Sequence, residues 1–294
     1  MLGTLRAAMT RGVTVRLLYN VDRRPPDEPA PPPPKTRPEE IEALPFETLG
    51  VAGWPDLMHH KYVVRDGASV WTGSTNWTDD SWSREENVIA VVDSAAVADL
   101  YAQNFVQLWQ TKSVRRSGKV ATEPRDGIRV WFAPKRGEKL ARRIARCVAA
   151  ARRRVRIASP VITSGPILGA LADAASEGKI DLAGVVDLTQ VNEVFAQWAA
   201  ATMTWKPNAL RSLLTEAPFA GKLSTPYAPG SVHDYMHAKV TVCDDTVFVG
   251  SFNLSHSGES NAENVLEFAD PRLADRLAAY VDELRARYPT VELA

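Results

Sequence analysis

The sequence predicts an α/β protein built from two similar halves, and three observations predict it. Residues 59–66 read His59-His60-Lys61-Tyr62-Val63-Val64-Arg65-Asp66, and residues 237–244 read His237-Ala238-Lys239-Val240-Thr241-Val242-Cys243-Asp244. Both are H-x-K-x4-D, and each is followed by G-S-x-N, at Gly73 to Asn76 and at Gly250 to Asn253. Next, Glu86-Asn87-Val88 starts ten residues beyond Asn76, and Glu263-Asn264-Val265 starts ten residues beyond Asn253. Finally, short apolar runs of strand period alternate with longer segments of helical period around both copies. A chain of 294 residues with 45% hydrophobic side chains can bury a full core.

The elements follow in order. Residues 5–9, ended by Arg11-Gly12, read as a helix with a glycine after its C-terminus. Residues 13–19 read as a strand. Residues 24–38 hold eight prolines, which excludes helix and central strand and predicts an exposed proline-rich loop. Pro38-Glu39-Glu40 suits the first turn of a short helix. Residues 57–64 are the first motif strand, and residues 70–72 are its hairpin partner through Asp66-Gly67. Residues 88–92 read as a strand and 95–109 as a helix. Residues 112–119 carry four basic side chains with Ser and Gly and read as the linker. The halves are therefore expected at 1–117 and 118–294.

The second half opens with a basic amphipathic helix over 138–154 and a strand over 155–159. A helix over 167–176, ended at Gly178, and a strand over 180–186 match residues 5–18 of the first half. The helix and strand before them have no counterpart, so the first half is expected to lack its N-terminal helix and strand. Residues 192–230 read as an insertion containing Phe195, Trp198, Met203, Trp205 and Phe219. Large aromatics of this kind pack a helical subdomain or wall a pocket. Residues 272–287 read as a closing amphipathic helix. The step from His to Gly is fourteen residues in the first copy and thirteen in the second, which predicts a shorter hairpin turn in the second.

Strand side chains alternate faces, so His59 and Lys61 project to one side, as do His237 and Lys239. Ser74 and Asn76, and Ser251 and Asn253, are likewise two apart. If the halves pair about a pseudo-twofold axis, all these groups meet in one pocket. Displacement at a phosphodiester builds negative charge on nonbridging oxygens. Lys61 and Lys239 can neutralise it, and Asn76 and Asn253 can donate amide hydrogen bonds. One histidine can attack phosphorus, and the other can serve as acid and then base. Imidazole suits both jobs because it titrates near neutrality. Ser74 and Ser251 are expected to help bind substrate, as are Trp198 and Trp205 of the insertion. Asp66 and Asp244 fall at the hairpin ends, where turn capping is the expected role. A zinc site at His59-His60 is disfavoured, because adjacent strand residues point to opposite faces and no Cys or His cluster completes a shell.

Both copies resemble the phospholipase D superfamily, whose signature is H-x-K-x4-D with a trailing GSxN. The resemblance covers most of the chain. It implies two pseudo-twofold-related halves, each a mixed β-sheet flanked by helices, facing each other across one active site. It implies catalysis without a metal or other cofactor. It suggests the first-motif histidine, His59, as nucleophile through a phosphohistidine, with His237 as acid/base. By resemblance and matched position, Glu86 and Glu263 are expected to fix the histidine tautomers.

The expected activity is hydrolysis of a phosphodiester, or its transfer to an alcohol, with phospholipid as first choice of substrate. A nuclease of the same superfamily is the nearest rival, since residues 58–78 also resemble its nuclease-like branch. A non-catalytic phosphate- or nucleic-acid-binding protein keeping the fold is the second rival. Zero formal charge gives no global pull toward nucleic acid or an anionic membrane. Two cysteines make no disulfide framework and read as reduced thiols. No apolar run reaches the length of a membrane span. Residues 1–12 lack a signal-peptide core, so a cytoplasmic monomer is expected, or a secreted one if the N-terminus is incomplete.

Overall fold

The computed structural model describes residues 2–21, 38–228 and 230–292. The proline-rich loop therefore lies outside the described residues, except for Pro38. The first half runs α1 (Leu2–Thr10), β1 (Arg16–Val21), α2 (Pro38–Glu42), β2 (Glu47–Ala52), β3 (Tyr62–Arg65), β4 (Ser69–Gly73), α3 (Asp79–Ser83), β5 (Ile89–Asp93) and α4 (Ala95–Thr111). The second runs β6 (Ile128–Phe132), α5 (Gly137–Ala150), β7 (Arg154–Ala158), α6 (Gly165–Glu177), β8 (Asp181–Asp187), α7 (Leu188–Ala200), α8 (Trp205–Glu216), β9 (Phe219–Lys222), β10 (Val240–Cys243), β11 (Thr246–Gly250), α9 (His256–Ser260), β12 (Asn264–Ala269) and α10 (Pro271–Arg287).

The second half's mixed sheet has seven strands in the order β6-β12-β11-β10-β7-β8-β9. Among the described residues the first half repeats that order without a strand at the outer β6 position and with one inner position vacant, as β5-β4-β3 and a separate parallel pair β1-β2. The vacancy falls where β7 lies in the second half, antiparallel to β10 and parallel to β8. No described residue fills the place of the helix and strand that the first half is expected to lack, and its strands form two separate sheets.

Both hairpin turns use an aspartate with positive φ, 53° at Asp66 and at Asp244. Asp tolerates this left-handed region better than most residues. Arg65 pairs with Ser69 across three residues, whereas Cys243 pairs with Thr246 across two. The one-residue difference in motif spacing is therefore the shorter turn. Asp244 also receives the backbone N–H groups of Arg152, Arg153 and Arg154 at 2.9, 2.9 and 3.1 Å. Its carboxylate pins the entry to β7.

Two corrections concern boundaries. The motif strands begin later than the alternation predicts, at Tyr62 and Val240, so both histidines lie ahead of the regular ladders. The span 192–230 is not one insertion. Phe219–Lys222 is β9, which pairs parallel with β8 as β2 pairs with β1. Phe219 is therefore a sheet residue, and what precedes it is the helix pair α7 and α8.

The core forms two layers. Between the sheets, Val97, Leu100 and Tyr101 of α4 and Leu277, Val281 and Leu284 of α10 pack against Val70, Val240, Val242 and Leu266. Outside the larger sheet, Leu140, Ile144 and Val148 of α5 and Ile167, Leu168 and Leu171 of α6 cover Phe248, Ile157 and Val265. One buried polar group ties the halves across the inner layer. Asn264 Oδ1 accepts from the hydroxyls of Thr72 at 2.7 Å and Tyr101 at 3.0 Å. Asn264→Ala should destabilise the protein by about 1–3 kcal/mol in urea unfolding, because buried hydroxyls lose their acceptor. An unchanged midpoint and slope would show that the hub contributes nothing.

Candidate active site

Each histidine is fixed from the opposite half. His59 N donates to Ala262 O at 3.0 Å, and Ala262 N donates to Leu57 O at 2.8 Å. In the mirror arrangement, His237 N donates to Glu86 O at 3.1 Å, and Glu86 N donates to Tyr235 O at 3.3 Å. The approach to each motif strand thus pairs with the approach to the third strand of the other half. The two histidines are brought to one place by backbone hydrogen bonds.

These pairings also show which residues correspond. Glu86 takes the place of Ala262, not of Glu263. Asn87 therefore takes the place of Glu263, and the two E-N-V triplets are offset by one residue. The cause is one fewer residue between the short helix and the third strand in the second half. The serines confirm the alignment. Ser251 Oγ donates to Glu263 Oε2 at 2.5 Å and receives Asn264 N at 3.0 Å. Ser74 Oγ donates to Asn87 Oδ1 at 2.7 Å and receives Val88 N at 2.9 Å. Both serines orient the groups behind the histidines rather than facing open space.

The site is consequently asymmetric. His59 Nδ1 lies 2.7 Å from Glu263 Oε1, a fully buried carboxylate. This contact fixes the Nδ1–H tautomer and leaves Nε2 with its lone pair. His237 Nδ1 lies 3.1 Å from the amide oxygen of Asn87 and 3.5 Å from the carboxylate of Glu85. The expected role of Glu86 is thereby corrected. Glu86 pairs with Lys222 at 2.7 Å and accepts the hydroxyl of Tyr288. Glu85 and Asn87 stand behind His237, and the sequence reading missed both. The signal was the exchange of positions that strand pairing imposes, which matching triplets alone conceal.

Lys61 and Lys239 are buried, and each ammonium donates to the carbonyl of its own histidine, at 2.8 and 2.6 Å. Burial pushes Lys61 down to about 8, and pushes Lys239 well below its ordinary value with help from Lys61. Burial lowers His59 against the raising pull of Glu263. Burial, then Lys239 and Lys61, hold His237 well below the usual imidazole range. Two lysines and two histidines in one dry pocket call for an anion, which would restore their charged forms. Asn253 has a buried amide oxygen without a hydrogen-bond partner, so packing does not consume its side chain. Asn76, half-buried, follows the buried Ser74-Thr75 pair.

His60 faces away, as strand alternation requires. It packs 5.2 Å from the Tyr62 ring and 5.9 Å from the Phe132 ring, and burial drives it to about 3. Trp198 stacks edge-on to Phe195 at 6.1 Å beside the outer core, and Trp205 at the start of α8 lies over Gly165. Their contacts are with the helical layer. Closer in sequence to the site, Tyr227, His233 and Tyr235 form a ladder of rings 5.5 and 5.2 Å apart just before His237. Among the described residues, no three His, Cys, Asp or Glu side chains gather to hold a metal ion.

A family model described as cardiolipin synthase, PLD-like domain, matches residues 1–109 and 144–285. The chain belongs to the phospholipase D superfamily. A 70-residue stretch is 39% identical to mitochondrial cardiolipin hydrolase of Xenopus tropicalis and 36% identical to that of Xenopus laevis. The stretch is 22% of this chain, and the chain spans about a third (33%) of the length of these curated relatives. Among solved structures, the chain is similar to Nuc from Salmonella typhimurium, a phospholipase D family member, at 20% identity and a TM-score of 0.41. It is also similar to NucT from Helicobacter pylori, at 20% identity and 0.43. Each match covers 56% of this chain and 98% of the other. No helix of the described residues is long and apolar enough to cross a membrane.

Two outcomes follow from this geometry. Glu263→Gln should lower kcat by about 10²–10⁴-fold, the range that positioned acid–base groups contribute. Glu86→Gln should leave kcat within a few-fold and act on stability instead. Equal kinetic losses would restore Glu86 to the site. The second outcome concerns pH. Lys61 is charged below about 8 and neutral above it. Therefore kcat/KM, which reports the free enzyme, should fall as pH rises through about 8. Lys61→Arg should push that limb upward, since guanidinium stays charged. A wild-type profile flat to pH ~10, near the ordinary lysine value, would remove Lys61 from substrate binding.

Proposed function

We propose that the chain is a phosphodiesterase acting through a phosphohistidine, with a phospholipid as substrate. The observation that carries this reading is the asymmetric histidine pair. His59 has a buried carboxylate on Nδ1, whereas His237 is backed by an amide and a more distant carboxylate. His59 Nε2 attacks phosphorus, and the bond to the leaving alcohol breaks. Glu263 offsets the positive charge that develops on the phosphorylated imidazole. His237, charged once the phosphate anion is bound, gives its proton to the leaving oxygen. Water then attacks phosphorus, His237 takes its proton, and the P–N bond breaks. Lys61, Lys239, Asn76 and Asn253 hold the nonbridging oxygens throughout. The cardiolipin hydrolases matched over part of the chain support a lipid phosphodiester as first choice.

His59→Ala and His237→Ala should each lower turnover by about 10³-fold or more, and the double variant should be little worse, since such residues act as a unit. His237→Ala should also accumulate phosphate on His59, detectable by mass spectrometry after quenching. Label on residue 237 in the reciprocal variant would reverse the roles. The substrate is decided by a panel of phosphatidylcholine, cardiolipin, single-stranded DNA and a small chromogenic diester. Turnover of DNA with none of either lipid would replace the lipid reading by the nuclease one. The Tyr227, His233 and Tyr235 rings would then stack bases.

A further inference from the structure

The two halves differ most where β7 and α5 sit. In the second half, Ile157 of β7 lies between Thr241 and Gly184. Preceding it, α5 lays Leu140, Ile144 and Val148 over the outer face of the sheet, where Phe248 is buried. Following it, the N–H groups of Thr163 and Ser164 donate to Leu254 O at 2.8 and 3.0 Å, and Ser164 Oγ donates to Glu259 at 2.7 Å. Asp244 receives the amides that open the strand.

The first half presents a counterpart at each of these receiving positions. A cavity of about 360 Å³ is lined by Val15 and Leu17 at the start of β1, by Tyr62 and Val64 of β3, and by Phe105 of α4. The strand register places Val63, Trp71 and Val91 where the second half has Thr241, Phe248 and Glu267. Val91 is 64% exposed and Trp82 52%, although Trp71 stacks on Trp82 at 6.1 Å. Trp77 and Trp82 stand at the positions of Leu254 and Glu259. Asp66 holds the same left-handed turn as Asp244.

We propose that this slot and this face are one docking site for a helix–strand segment of polypeptide continuous with the N-terminal side of α1. Its strand lies antiparallel to Tyr62–Arg65 and parallel to Arg16–Val21, and its helix covers Trp71, Trp77 and Trp82. The carboxylate of Asp66 caps the first amides of that strand. Connectivity selects this occupant over a separate partner. In the second half, β7 ends at Ala158 and α6 starts at Gly165. Since α1 and β1 correspond to α6 and β8, the bound strand ends a few residues before Leu2. Such a short link costs little closure entropy. It also gives the right-handed crossover that parallel strands in one sheet adopt. The proposal does not depend on the identity of the substrate.

The chain's own second half supplies the test piece. Residues 137–164, with Cys147→Ser in the added copy, are fused ahead of Leu2. The expected result is a melting temperature higher by about 5 °C or more, since added stability in a domain of this size appears as a shift of several degrees. Amide exchange at Tyr62–Arg65 should slow by about tenfold or more. Asp66→Ala should remove at least half of the thermal gain. Val63→Cys with Ile157→Cys in the added copy should form a disulfide, because facing strand residues lie within bridging distance. If the fused protein does not accumulate, a peptide of residues 151–164 added to the unfused chain should slow the same amides. No protection from either source would overturn the proposal. A dimer of the unfused chain with residues 62–65 protected would make a second copy the occupant. Tryptophan emission that shifts blue on phosphatidylcholine vesicles, equally with and without the fused segment, would assign the face to a bilayer.

Discussion

The candidate site depends on two short backbone bridges that cross between the halves, Met58 with Ala262 and Glu86 with Met236. Neither half positions its own histidine. The residue opposite each bridge carries the group that orients the other half's imidazole, so Glu263 serves His59 while Asn87 and Glu85 serve His237. An imidazole held by a main-chain hydrogen bond on one side and a buried polar group on its far nitrogen has little rotational freedom. The cost of that order is met by the core between the sheets, where α4 and α10 bury Val70, Val242 and Leu266. The candidate site is the meeting line of the two halves, and its geometry requires both to be folded and docked.

The repeated motif made the site's first rank legible. His59, Lys61, His237 and Lys239 gather in one pocket although they lie just ahead of the regular ladders, and Asp66 and Asp244 sit in the turns their spacing implies. The vacant strand position was legible too, because the second half supplies an internal standard for the first. Glu86 was misread for a physical reason. Two triplets with equal spacing look equivalent, but hydrogen-bond register decides equivalence, and a one-residue deletion before the third strand moves every side chain by one place. The same local shift exchanges a carboxylate for an amide behind one histidine, so a near-symmetric sequence yields an asymmetric pair. Phe219 was misread because aromatic content alone cannot separate a sheet strand from the helices that precede it.

The electrostatics of the pocket favour an anion. Burial works against the charged forms of both lysines and both histidines. The carboxylates beside this group are already engaged, Glu263 with His59 and Ser251, and Glu85 with Ser81 and Asn87. On the proposed function, a phosphodiester would bring one negative charge and two nonbridging oxygens into that pocket. It offsets the desolvation of the cations and strengthens the hydrogen bonds they donate. More negative charge on those oxygens in the transition state strengthens the same contacts further, which is how a preorganised cationic site accelerates displacement rather than merely binding substrate.

The split sheet of the first half raises the question of how His59 stays in place beside an unfilled strand position. The contacts that hold it run to β4, to the second half and, past the end of the vacant position, to Asn20 of β1. Lys61 O accepts from Thr72 on β4 at 3.1 Å, and Thr72 reaches Asn264 of the opposite half. Met58 N is held by Asn20 at 3.0 Å, just as Met236 N is held by Asp187. His59 itself is bonded to Ala262 and Glu263. None of these passes through the vacant position, which borders β3 on its outer edge. The edge can therefore be open while the catalytic end of the same segment is ordered by the second half. Each half orders the other's histidine, so the geometry of His59 follows from the second half while that of His237 follows from the first.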